Sequence, residues 1–361
     1  MSKELLALVL ISALVGMVRT RAAGPDDGAA SRFSHTVTDA PAEGGKVVQL
    51  RYVHPSDASR NITVAVAAER GAKMFRFTFG DVDLLYVPRE PKRERDSFKG
   101  FPICFPTVNR VRDGTYTFGG ERIVQQVPGE QDPRHIHGLV WDDTWRFDEP
   151  KPGREEIALR CRYVFEPDNP RFQAFPYRCT LRISYILHRD RLRVRYEVRN
   201  QDAKPLAFGL GFHPYWAVIG KLDEIRIELD PPWEMERKGA YPTGRLLAVG
   251  KGGYDLSSPT PLSEVGGHPF YYGITPQSRV AVHYESIGLV LRQVASDDFK
   301  HLIVWNPARK KRPFFSLENQ TSAANAHNLY AAGFEEAASL RILPPGLRAS
   351  GHVDLIPERK P

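Results

Sequence analysis

The chain of 361 residues holds only three cysteines, Cys104, Cys161 and Cys179. So small and odd a number excludes a dense disulfide framework, and without a Cys-x-x-Cys pair the commonest zinc signature is missing. Cys161 and Cys179 lie on two strand-like segments that could fold about Pro170, which leaves both a cross-strand disulfide and two buried thiols open. No apolar run is long enough to span a bilayer comfortably as a helix. Long Lys/Arg runs and nucleic-acid motifs are absent although the formal net charge is +7, so no nucleic-acid partner is expected. The positive balance suits a protein kept apart by its charge, and a small anionic substrate stays open. Helical spacing sustained over three turns is scarce. With 29 Gly and 29 Pro punctuating the chain, a helical bundle is excluded.

What the sequence has instead is period-two patterning. Leu192 to Arg199 alternates apolar and polar residues, as do Leu181, Ile183, Tyr185 and Leu187 with their neighbours. Phe75, Phe77 and Phe79 are expected on one face, and so are Ile225, Ile227 and Leu229. Such alternation buries one face of a sheet and wets the other. Turn clusters separate the runs at Asp113-Gly114, Gly119-Gly120, Asp168-Asn169-Pro170, Gly252-Gly253 and Pro344-Pro345-Gly346, and the best helical stretch is short, Ser322 to Ala332. The pattern predicts an all-β, antiparallel sandwich or barrel.

Near the start, Leu5 to Val18 is an apolar run of 14, with Lys3 before it and Arg19 and Arg21 after it. That length suits the core of an export signal better than a spanning helix. Residues 1–23 are read as a signal peptide or anchor, 24–37 as a disordered linker, and 38–361 as a single domain. The expected location is periplasmic, secreted or membrane-tethered, or cytoplasmic if the leader is no signal. The mature domain is expected to have no membrane span and to be a monomer or homodimer.

Four polar clusters sit in loop-like, aromatic-rich contexts: Asn109-Arg110-Val111 with Gly114; His135 and His137-Gly138, followed by Trp141 and Trp145; His213-Pro214-Tyr215-Trp216; and Glu318-Asn319-Gln320-Thr321. An acid that closes the apolar run Phe314-Phe315-Ser316-Leu317 is notable, because buried acids are rare unless paired or functional. Together with Pro242-Thr243-Gly244 and Ala324-Asn325-Ala326, these clusters resemble, in order and rough spacing, the aldose 1-epimerase (galactose mutarotase) family from about residue 60 to 357. The resemblance implies a large twisted β-sandwich with an open cleft for a pyranose, no cofactor and no metal, and interconversion of the α and β anomers of a hexose. It implies Glu318 as base, His213 as acid, His137 as its assistant near the ring oxygen, and Arg110 as donor to sugar hydroxyls. Asn109, Trp141, Trp216 and His268 complete the expected substrate contacts, with Trp145 a further candidate wall. Acid and base are expected to flank the ring, spaced to admit it.

The family's sugar-binding Asp has no counterpart in Gly266 to Tyr272, where His268 stands nearest. Trp305-Asn306-Pro307 looks more like the hexose-phosphate relatives, for which Arg110, Arg112, Arg146 and Arg292 are candidate phosphate holders. Three alternatives therefore accompany the leading reading: a hexose-6-phosphate 1-epimerase, a noncatalytic carbohydrate-binding protein on the same fold, and a carbohydrate lyase. The last finds no room in the chain for a helical toroid.

Overall fold

The computed structural model describes residues 32–88, 99–125, 136–251 and 254–360. Two large antiparallel sheets dominate. One has nine strands and runs from an edge at Thr260–Pro261, through Ile225–Leu229, Val280–Tyr284, Leu289–Ala295, Arg348–Arg359, Leu192–Asn200, Cys179–Leu187 and Ile157–Phe165, to Arg146–Pro152. The other, of eight strands, places Phe314–Gln320 between His301–Trp305 and Gly211–Phe212. A five-stranded sheet built from residues 33 to 83 joins them.

The alternation read from the sequence is realised where strands pair in unbroken register. Leu192, Val194, Tyr196 and Val198 are fully buried, as are Leu181, Ile183, Tyr185 and Leu187 opposite them, and Ile225, Ile227 and Leu229. These residues and the inward faces of the other sheets form one continuous apolar core. Burial of each such side chain contributes about 1.5–3 kcal/mol. Phe75 departs from the pattern. A bulge between Ala65 and Val66 pairs Val66 with Met74 and Ala65 with Arg76, so Met74 and Phe77 are buried while Phe75 is half-buried.

Two expected bounds shift, and the question left open for the cysteines is answered. The first described strand, Phe33–Ala40, begins inside the stretch read as linker, and it pairs with Gly45–Tyr52. The residues before Arg32, including the apolar run, lie outside the described residues, as does His135. The hairpin register sets Cys161 opposite Ile183 and Cys179 opposite Phe165, so the two thiols are staggered along the ladder, and both are free and buried. α-Helix is confined, among the described residues, to Ala326–Ala331 and Glu335–Ala338, the first shorter than the stretch from 322 to 332.

Candidate active site

The site is organised by the strand Phe314–Gln320. Its period-two geometry sends Phe315 and Leu317 into the main core and puts Ser316, Glu318 and Gln320 together on the opposite face. His213 follows directly after Phe212, which pairs with Asn319, and so comes to lie beside Glu318. Its imidazole bridges two same-face residues of the strand, with Nδ1 at 3.3 Å from Ser316 Oγ and Nε2 at 3.2 Å from Glu318 Oε1. Stacking on Tyr215 at 4.7 Å and an edge contact to Trp305 at 5.6 Å fix the ring. His137 meets it edge-on, 4.7 Å away. Glu318 is held from its other oxygen, because Gln320 Nε2 donates to Oε2 at 2.8 Å.

Glu318 and His213 are almost wholly buried, at 1% and 3% exposure. Burial therefore opposes charge on both. It pushes the Glu318 carboxyl up to about 8, against the lowering effect of Gln320. It drives His213 well below the ordinary histidine range, with the neighbouring His137 acting in the same direction. His137 is lowered to about 3 by burial and then by Arg110 and His268. Burial of both groups thus favours a single proton on the pair, held on the Glu318 carboxyl. The ligating atoms of His137, His213 and Glu318 all lie within 4.8 Å of one another, close enough to share an ion as well as a proton.

Two loops bring Arg110 and His137 to this strand. The Asn109 carbonyl accepts from His137 N–H at 2.9 Å, and Arg110 forms an isolated bridge with Ile136. Gly138 bridges to Phe105 with φ +76, and a Cβ there would collide with the Phe105 carbonyl oxygen, which explains glycine after His137. Asn109, His137, His268 and Asn325 are four of the eight non-glycine residues with left-handed backbone among the described residues. Each such residue costs about 1–3 kcal/mol, and their concentration here marks a site whose geometry outranks local comfort.

Asn325, quoted above only as part of a motif, is the clamp of the first loop. Its N–H donates to the Arg110 carbonyl at 2.8 Å, and its Oδ1 accepts from Arg112 N–H at 2.9 Å and Asn328 Nδ2 at 2.8 Å. Asn325→Ala removes that acceptor and forces alanine into a left-handed position. Denaturant unfolding should reveal a loss of about 1–3 kcal/mol, and the sugar KM should rise more than kcat falls as Arg110 loses its place. An unchanged KM in a folded variant would contradict the clamp.

The expected residues divide. His137, His213 and Glu318 converge, with Arg110 and His268 beside His137. The expected acid and base, His213 and Glu318, touch each other rather than standing a ring apart. Such contact is compatible with the expected chemistry, because O1 and O5 are both bonded to C1 and two adjacent groups could serve them from one edge of a sugar. Asn109 turns its side-chain oxygen onto Arg110 N–H at 2.8 Å, which makes it a loop-shaping residue in this state. Trp216 is fully buried in the main core against Phe101, and Trp145 is buried and donates to the Val140 carbonyl at 3.0 Å, so neither is a wall of the cleft. Trp141 is half-buried under Lys73, 5.8 Å from its ammonium. The aromatic rings at the site are instead Trp305 and Tyr215, which pack on His213; period-two placement opposite Ser316 would have picked out Trp305. Arg292 pairs with Glu358 on the outer face of the other sheet and Arg146 is exposed there, so neither approaches Glu318. Arg237, which no motif flagged, lies near His268 instead: burial first, and then Arg237 and Arg110, lower His268 to about 4, and Arg237 Nη2 donates to the Gly267 carbonyl at 2.6 Å.

Comparison with known proteins shows the family and the fold. The sequence profile of the family described as aldose 1-epimerase matches residues 57–355. The Escherichia coli K12 protein YphB, itself uncharacterised, is 25% identical over 258 residues, which cover 70% of this chain and 82% of that one. A galactose mutarotase-like protein from Clostridium acetobutylicum superposes with a TM-score of 0.74 at 18% identity, covering 86% of this chain and 95% of the other. A galactose 1-epimerase from Lactobacillus acidophilus superposes at 0.67 and 16%, covering 92% and 100%. At such identities these structures speak for the fold alone.

Proposed function

The chain belongs to the aldose 1-epimerase family, and from that premise we propose that it interconverts the α and β anomers of a hexose by proton transfer between Glu318, His213 and the sugar. The observation that carries this reading is the buried 3.2 Å contact of His213 Nε2 with Glu318 Oε1 beside His137. A binding protein needs no matched acid and base in contact, which argues against the noncatalytic alternative.

In the reactive form the shared proton resides on His213. Glu318 removes the O1 proton as His213 protonates O5. The C1–O5 electrons pass to O5 and the O1 electrons close the carbonyl. The pair is then neutral, with the proton on Glu318, which is the form burial favours. Ring opening thus discharges a buried ion pair, and the low polarity of the site assists it. After rotation about C1–C2, His213 takes the proton back from O5 and Glu318 returns one to O1, so the pair ends as it began. His137, kept neutral by burial, can hydrogen-bond the ring oxygen without competing for the proton.

One proton on the pair is the working state. A second proton requires His213, which burial holds well below 6.5, and losing the first requires Glu318, which burial holds up to about 8. The expected kcat/KM is flat through neutral pH and falls above about pH 8. Polarimetry corrected for spontaneous mutarotation gives the profile. A rise through the ordinary histidine range near 6.5 would contradict the assignment.

A second reading rests on Arg110 and Arg237, which both act on His268, the residue nearest to the place of the family's missing Asp. Two guanidinium groups suit a phosphorylated hexose. Assaying glucose beside glucose 6-phosphate separates the readings: the phosphate reading requires preference for the phosphorylated sugar, and loss of that preference in Arg237→Ala.

A further inference from the structure

The outer face of the nine-stranded sheet carries charge that the chemistry above leaves unused. Across Arg146–Pro152, Ile157–Phe165 and Cys179–Leu187, Arg162 lies directly opposite both Arg146 and Arg182, so three arginines form one transverse row. The adjacent row sets Arg160 and Arg195 on either side of Ser184. On the next strand, Arg199 lies opposite Arg348. Like charges directly opposite each other destabilise a sheet.

The acids within these rows are Asp148, opposite Arg160, and Glu197, which takes Arg182 at 3.1 Å and Arg348 at 3.6 Å. Arg146, Arg160, Arg162, Arg195 and Arg199 have no side-chain ion pair or hydrogen bond among the described residues. The fold thus spends stability on an uncovered basic surface spanning several strands, with no benefit to its own packing.

We propose that this face docks on the surface of an anionic lipid bilayer. Charge complementarity favours an extended polyanion, since the excess arginines are spread in rows over four strands rather than gathered around one point. The outward positions of these strands present no aromatic ring on which bases could stack, unlike a single-stranded nucleic-acid groove. The place where the chain joins the face favours a bilayer among polyanions. The strand Phe33–Ala40 lies along the Arg146–Pro152 edge, with His35 Nε2 3.6 Å from Glu149 Oε1. The sequence before it contains the apolar run Leu5 to Val18. An apolar segment in the sequence and a basic patch on the fold are the two kinds of attachment that stable peripheral binding requires.

The test is sedimentation of the full chain with vesicles of phosphatidylcholine alone and of phosphatidylcholine mixed with phosphatidylglycerol, at low and high salt. Anionic lipid should add to the binding, and salt should remove the addition. In Arg160→Ser/Arg162→Ser/Arg195→Ser the added affinity should fall roughly 10²-fold, while binding to neutral vesicles stays as in the wild type. Because like charges have been separated, the thermal midpoint of this variant should be no lower than that of the wild type, which guards against misfolding. Lysine at the same three positions should retain most of the effect, since a bilayer reads charge. Equal binding of wild type and serine variant to anionic vesicles would overturn the proposal. So would failure of the lysine variant, or a patch that captures heparin or single-stranded DNA but gains nothing from phosphatidylglycerol.

Discussion

Glu318→Gln is expected to lower the catalysed rate of anomer exchange by at least the roughly 10²–10⁴-fold typical of general acid–base catalysis. The amide matches the carboxylate in shape, and the main loss is the ability to take the O1 proton. It leaves the 2.8 Å contact to Gln320 and the 3.2 Å contact to His213 geometrically available. Fold and sugar binding should therefore survive. Equilibrium binding of the sugar should weaken far less than in Arg110→Ala, because Arg110 is assigned to hydroxyls held in ground and transition states alike, whereas Glu318 acts as charge moves. Binding isotherms beside exchange rates separate the two effects. A wild-type rate in a folded Glu318→Gln enzyme would remove the base.

His213→Asn should cost a similar factor by removing the donor to O5. A neutral amide can still reach Ser316 or Glu318, but it cannot carry the proton between C1–O5 cleavage and reclosure. The two losses should not add. Once either partner is gone the shared proton has no second home, so Glu318→Gln/His213→Asn should be about as slow as the slower single variant. Multiplying rate losses in the double variant would mean that the residues act independently, against their direct contact.

Much of this was legible in the sequence because it depends on local periodicity. Leu192 to Arg199 announces one buried and one wet face, and the residues buried are the ones the alternation picks out. Glu318, His213 and His137 were legible because their motifs, none specific alone, follow one another in the family's order. Trp216 was misjudged because adjacent residues of an extended chain point to opposite faces. It pairs with Phe315, which faces the core, whereas Tyr215, one residue earlier, stacks on His213. Arg237 and the clamp role of Asn325 stayed hidden for another reason: both depend on segments apart in sequence meeting in space. Asn325 reaches Arg112 across 213 residues. The direct contact of acid and base was hidden too, since spacing along a chain says nothing of the distance between two strands.

The most direct test of the central claim follows freshly dissolved α-D-glucose, α-D-galactose and glucose 6-phosphate by polarimetry, comparing the wild type with Glu318→Gln/His213→Asn. The account predicts that the wild type speeds the approach to anomeric equilibrium for at least one of the three, and that the double variant, folded and still binding that sugar, leaves the spontaneous rate. A wild type that binds sugar yet accelerates none of them, or a double variant that keeps the wild-type rate, would contradict it.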